Sequence, residues 1–169
     1  LHKAVAEAHR AEAEAHGLAR RQTREHTVAE YQIDFGQMDS ETRGAVGAEM
    51  ARLSTGWILV FCQVEAAMLW RDALAPARYF RTQIWRKPDG APQFTGDRPG
   101  MGYESIVTCW AGQGRSRWNG GGKHGVYEHC VNNFGRLTSG RPHPTMKPLA
   151  LMTELVSLFT DPGETILDP

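Results

Sequence analysis

The 169-residue chain has few cysteines: Cys62, Cys109 and Cys130, an odd number spread widely apart. That excludes a disulfide-built scaffold and suits a reducing, cytoplasmic setting. Long hydrophobic runs are missing as well. The best of them, Trp57-Ile58-Leu59-Val60-Phe61, falls far short of the roughly 18 apolar residues that span a bilayer, so no membrane partner is expected. No secretory signal opens the chain, because the first 25 residues mix Ala, His, Glu and Arg without an apolar core. Net charge is absent too, since 19 Lys and Arg balance 19 Asp and Glu. The first residue is Leu rather than Met, and Asp168-Pro169 follow directly on a strand-like run, so both ends read as truncations.

What is present argues for a folded domain. Five Trp, six Phe and four Tyr within 41% apolar residues are too many for a disordered chain. The balanced total also hides a strong asymmetry. Residues 1–75 hold 8 Lys/Arg against 11 Asp/Glu, residues 76–147 hold 11 against 4, and residues 148–169 hold none against 4. The basic middle, rich in Trp, Gly and Arg, is what a surface facing nucleic acid needs, because phosphate neutralisation supplies most non-specific affinity. A solvated loop with incidental charge is the plainer reading of the same residues.

Residues 1–38 read as a polar helix or flap, built from good helix formers but with no chemistry of their own. Asp39-Ser40 offers an N-cap, with Val46, Met50 and Leu53 at helical spacing behind it and Gly56 to end the helix. Trp57 to Phe61 reads as a buried strand. Val64 to Leu74 then reads as a helix with Ala67, Trp70 and Leu74 on one side, the start of an α/β unit with a parallel sheet. Phe80 to Trp85 and Tyr103 to Trp110 are strands with no helical pattern between them, which predicts an antiparallel pair. On the second of these, Val107 and Cys109 share one face while Ile106, Thr108 and Trp110 share the other. Gly112 to Gly125 is a glycine-rich loop. A last helix is capped by Thr145, carries Pro148 in its first turn, and shows an apolar stripe of Leu149, Met152, Val156 and Phe159. Asp161-Pro162-Gly163 turns the chain into a short strand at Thr165 to Leu167.

His143-Pro144-Thr145-Met146-Lys147-Pro148, the helix behind it, and Ile166-Leu167-Asp168-Pro169 together form the most informative segment. An acidic residue after a parallel strand stands where open α/β sheets bind ligands, and free amides at a helix start suit a carboxylate. This order of motifs resembles the S-adenosylmethionine-dependent amino-methyltransferases of DNA, in which a His-Pro-Thr-x-Lys-Pro motif opens a helix leading into the cofactor-binding sheet. Upstream, Trp85-x-Lys87-Pro88, Pro92 to Pro99, Gly102-Tyr103-Glu104 and Arg117-Trp118-Asn119-Gly120-Gly121-Gly122 are similar to a phage and bacterial subgroup, sometimes paired with restriction enzymes. The likeness covers residues 57–169.

The resemblance implies an α/β fold with a Rossmann-like sheet, mostly parallel with one antiparallel strand pair. It implies a partial catalytic domain over residues 39–169, with DNA-facing loops at 86–142 and a cofactor segment at 143–169. Residues expected at the cofactor are His143, Pro144, Thr145, Lys147, Asp168 and Pro169. Those expected at double-stranded DNA are Lys87, Arg98, Arg115, Arg117, Trp118 and Lys123, although a lone Trp118 is more often core than stacking platform. The implied reaction is methyl transfer to adenine N6 or cytosine N4 of a flipped base.

The family's (Asp/Asn/Ser)-Pro-Pro-aromatic motif occurs nowhere in the chain, so no catalytic residue is assigned and the chain is not expected to act alone. The expected order is permuted, with the catalytic motif ahead of the cofactor motif. A non-catalytic nucleic-acid-binding module, or methylation of RNA or a small molecule on the same fold, are the alternatives. His124, His129, Cys130 and His143 lack the regular spacing of a zinc site, so no metal is expected.

Overall fold

In a computed structural model that describes residues 38–90, 92–131 and 146–168, the first element is helix α1, Ser40–Leu53. It starts where the sequence offers a cap. The Asp39 carboxylate accepts the Thr42 amide at 2.7 Å, and that hydrogen bond, stabilising the ionised form, holds its pKa below the ordinary range. Val46 and Met50 point inward as their spacing predicts, while Leu53 is exposed. The 3₁₀ turn Val64–Ala66 and helix α2, Ala67–Ala73, together make the predicted second helix, and Ala67, Trp70 and Leu74 are buried on one side of it. The two helices approach closely at Gly47, where a Cβ would stand 2.4 Å from the Ala73 carbonyl oxygen.

Strands β1 (Trp57–Cys62), β2 (Arg78–Arg86), β3 (Tyr103–Trp110) and β4 (Val126–Glu128) form one sheet in the order β1-β3-β2-β4. β3 lies between β1 and β2 and runs antiparallel to both, with Trp57 opposite Trp110, Cys62 opposite Ser105 and Trp85 opposite Glu104. β4 joins β2 in parallel, with Trp85 opposite Tyr127. The protein is therefore α/β with a mixed sheet. The antiparallel β2–β3 pair is present as expected, but the parallel share is smaller than expected among the described strands. The neighbour of β1 is β3, which returns from β2 through a loop, and a return without a helical crossover reverses strand direction.

The period of two along the strands divides the core. Ile58, Val60, Val107 and Cys109 face α2, with Val46 and Met50 of α1 packed behind them. Trp57, Leu59, Phe61, Trp85, Ile106 and Tyr127 face helix α3, Leu149–Phe159. Helices thus cover both faces, and β3 is buried on both sides from Ser105 to Trp110. One polar chain crosses the second face. The Tyr127 hydroxyl donates to Gln83 Oε1, and Gln83 Nε2 donates to Thr108 Oγ1 at 2.6 Å. Buried polar groups joined in this way pin the register of three strands, because a slip would leave each unsatisfied.

Two expectations at the end of the chain are corrected. The buried stripe of α3 is Leu151, Leu155 and Phe159, and of the predicted set only Phe159 belongs to it, while Leu149 is 80% exposed. The helix is apolar around most of its circumference, so spacing alone offers two stripes, and contact with Trp85 and Ile106 selects one. Residues Thr165 to Leu167 form no strand, and Ile166 and Leu167 are exposed, since no described strand runs beside them to complete a ladder. The predicted Thr145 cap lies outside the described residues.

The two stripes make opposite demands on stability. Leu151→Ala is expected to cost about 2–5 kcal/mol, and Leu149→Ala less than about 0.5 kcal/mol. Urea denaturation of the two variants measures this, and a larger loss at Leu149 would overturn the helix orientation.

Candidate functional site

The carboxyl ends of β1 and β2 meet the amino end of β3, and three charged side chains converge there. β2 ends at Arg86, just ahead of Lys87-Pro88, because proline has no amide for the ladder. The Lys87 amide instead donates to Gly102 O at 2.8 Å, closing the neck of the β2–β3 loop. Lys87 Nζ stands 3.1 Å from Glu104 Oε2, and Lys147 Nζ, from the segment entering α3, donates to Glu104 Oε1 at 3.0 Å. The Lys87 ammonium also lies 4.6 Å from the Trp85 ring centroid and that of Lys147 5.1 Å from Phe61. All three side chains are mostly shielded, at 19–28% exposure. Such pairs are screened less by salt than surface pairs, and the aromatic faces add to the attraction. Two ammonium groups thus share one carboxylate. Beside it, burial and the Glu104 charge push the Cys62 thiol up to about 11, so it stays a thiol at neutral pH.

The cations expected at DNA separate in the fold. Lys87 belongs to this cluster, and Arg98 lies in the β2–β3 loop beside Asp97 at 3.6 Å. Arg115, Arg117 and Trp118 follow β3 at its other end, about 25 Å away for eight extended residues. Arg115 is exposed there. Arg117 pairs with Asp161 and Glu164, and its carbonyl accepts the Trp57 indole N–H. Trp118 sets its ring edge-on against Phe159 at 4.9 Å and donates its indole N–H to Gly121 O at 2.9 Å. Asn119 Nδ2 donates to Thr160 O at 2.9 Å and Asp161 Oδ1 at 3.0 Å. Together these three residues hold the carboxyl end of α3, satisfying carbonyls that a helix leaves open. Gly120 is required because a Cβ would stand 2.2 Å from the Trp118 ring. Lys123 pairs with Glu154 on α3. The glycine-rich basic loop thus grips a helix, and two of its three expected cations are engaged by carboxylates.

Of the residues expected at the cofactor, Lys147 is in the Glu104 cluster and Asp168 is exposed. His143, Pro144, Thr145 and Pro169 lie outside the described residues. His129 Nε2 pairs with Glu154 Oε2 at 2.5 Å. Among the described residues no group of three His, Cys, Asp or Glu stands close enough to hold a metal ion, and no helix is long and apolar enough to cross a membrane. Sequence reasoning did not single out Glu104 as the carboxylate that joins Lys87 to Lys147. Its signal was its isolation as one of only four acids between residues 76 and 147.

No protein-family model and no curated protein matches the chain. Among solved structures it is similar to the M1.HpyAVI–SAM complex, with a TM-score of 0.57 and 20% identity over 70% of this chain. It also matches a second crystal structure of M1.HpyAVI, with a TM-score of 0.46 and 19% identity over 64% of this chain. The chain spans 60% of the length of the first structure and 51% of the second. At such identities the likeness is one of fold.

Glu154 supplies a test of the α3 attachment. Burial pushes its pKa up, but hydrogen bonds from Lys123 and His129 outweigh burial and hold it below the ordinary 4.5. A depressed folded-state value contributes stability that is present above 4.5 and is lost as pH falls through the folded value. The stability gap between the protein and Glu154→Gln should therefore shrink from pH 6 to about pH 3 in urea titrations. An equal gap at both pH values would contradict the pairing.

Proposed function

We propose that this chain is part of the catalytic domain of an S-adenosylmethionine-dependent DNA amino-methyltransferase, acting on adenine N6 or cytosine N4 of a base turned out of the duplex. The observation that carries the reading is the position of Lys147. It is the basic residue of the His143-to-Pro148 motif and meets Glu104 at the carboxyl ends of β1 and β2. Those strand ends are where open α/β sheets receive ligands. The fold likeness to M1.HpyAVI solved with SAM bound supports the same cofactor here.

The residues available fit that cofactor. The first intrahelical bond of α3 runs from the Met152 amide to Pro148 O at 3.1 Å, which leaves the amides of Leu149, Ala150 and Leu151 without helical partners. With Leu149 turned to solvent, this helix start suits the amino-acid carboxylate of the cofactor, and His143, Pro144 and Thr145 precede it in sequence. Asp168, followed by Pro169, offers an exposed carboxylate to an ammonium or hydroxyl group. Lys147, fastened to Glu104, orients the segment more than it contacts the cofactor. When bound, the cofactor supplies the methyl group on its sulfonium, and the protein's task is to align that methyl with the exocyclic nitrogen.

The permuted motif order, a phage or bacterial restriction-modification setting, a cytoplasmic location and a double-stranded substrate belong to the same proposal. A module that only binds nucleic acid is less well supported, because Arg117 and Lys123 are engaged by carboxylates of α3 and its following turn.

Tritium transfer from labelled S-adenosylmethionine to unmethylated plasmid DNA, by the protein that carries this chain, tests the reading. Label in N6-methyladenine or N4-methylcytosine is expected after nucleoside digestion, and label in RNA alone would overturn the DNA assignment. Asp168→Ala should weaken cofactor binding about tenfold or more, as loss of a hydrogen bond to a charged group does. Unchanged affinity in calorimetry would remove Asp168 from the site.

A further inference from the structure

The β2–β3 loop leaves the sheet at the same end as the Glu104 cluster, and its build is unlike a slack connection. Its neck is shut by the Lys87 amide on Gly102 O at 2.8 Å, and its first arm turns through the Gly90 amide on Lys87 O at 3.1 Å. Its tip is held by Asp97, which accepts from the Thr95 hydroxyl and from Gln93 Nε2 at 3.4 Å. Gly96 takes the positive φ of +67° that this turn requires. A loop closed at the neck and bonded at the tip holds its outermost residue in one place. That residue is Phe94, 86% exposed, more than any other large hydrophobic side chain among the described residues.

Leaving an aromatic ring in water costs hydrophobic free energy, and Phe94 stands exposed between Gln93 and Thr95, whose side chains both bond Asp97. We propose that Phe94 is a stacking residue that lays its ring against a base of nucleic acid at the carboxyl ends of β1 and β2, an inference that rests on the methyltransferase reading above. Size decides against a protein partner. A stable protein interface buries roughly 800 Å² per partner, whereas the neighbours of Phe94 at the tip are the polar Gln93, Thr95, Asp97 and Arg98. A single ring is ample for one base, because every base offers a flat face. The chemistry around it is also suited to nucleic acid. Arg98 follows the turn, and its exposed pairing with Asp97 at 3.6 Å is weak enough to be exchanged for a phosphate. Tyr103, a second partly exposed aromatic residue, stands where the loop re-enters the sheet. An aromatic wedge beside a base that is leaving the stack fills the space vacated and offsets the cost of unstacking.

The test uses fluorescence anisotropy of a labelled duplex with the protein, Phe94→Ala and Phe94→Trp, alongside calorimetry of S-adenosylmethionine binding. Because Phe94 touches little else, both variants should melt with the parent protein. Phe94→Ala should bind the duplex about tenfold more weakly, in the range found for loss of one base–aromatic contact, while Phe94→Trp binds at least as tightly as the parent. The ratio should persist between about 50 and 200 mM salt, since stacking releases no counterions. Cofactor affinity should be the same in all three proteins. If Phe94→Ala binds the duplex like the parent, or Phe94→Trp loses as much as Phe94→Ala, the stacking role is wrong. With cofactor binding intact, that failure is confined to Phe94. Loss of cofactor binding by the parent protein itself would instead strike the methyltransferase reading beneath it.

Discussion

Everything in the described structure is arranged around β3, a strand buried on both faces and antiparallel to both neighbours. Each of its backbone amides and carbonyls needs a partner on one side or the other, because no water reaches them. That requirement brings β1 and β2, adjacent in sequence through α2, to opposite flanks of a strand that comes later. Once β3 occupies the middle, the ends of the sheet differ in character. One end gathers Cys62, Lys87 and Glu104 with the entry to α3. The other gathers Trp57, Trp110 and the loop that clasps the exit of α3. The Glu104 cluster and the loop that anchors α3 are thereby kept about 25 Å apart.

Charge pairing follows the same division. Glu104 serves two ammonium groups from segments 60 residues apart, and its neutralisation makes their close approach tolerable in a shielded setting. Arg117 and Lys123 perform a comparable service for α3, drawn to the carboxylates of Asp161, Glu164 and Glu154. Among the described residues, the basic stretch of the sequence is thus divided between the two ends of the sheet. Its positive excess is partly consumed in holding an acidic last segment, residues 148–169, which carries four acids and no Lys or Arg. Among the described residues, the two lysines around Glu104 and the Arg98–Asp97 pair lie at that end of the sheet.

The elements whose signals are local were legible in the sequence. Asp39 caps α1 through its own side chain, Trp70 and Leu74 mark the inner side of α2, and the alternation of Ile106 against Val107 divides the faces of β3. Signals that depend on a partner were not. The stripe of α3 was misjudged because a helix apolar nearly all round takes its orientation from the sheet, and Thr165 to Leu167 have strand composition without a described strand to pair with. Trp118, expected at DNA although a lone Trp is more often core, packs its ring on Phe159. The reach of Arg117 across 44 residues to Asp161, and of Glu104 across 43 to Lys147, leaves no periodicity in a sequence at all.

The central claim is that the strand ends around Glu104 and the start of α3 form the cofactor side of the protein. Amide hydrogen exchange with and without S-adenosylmethionine measures this directly, because ligand contact slows local opening. Added cofactor should protect residues 62–64, 87–90 and 146–152 and leave residues 111–118 unchanged. Protection confined to residues 111–118, or none anywhere at saturating cofactor, would contradict it.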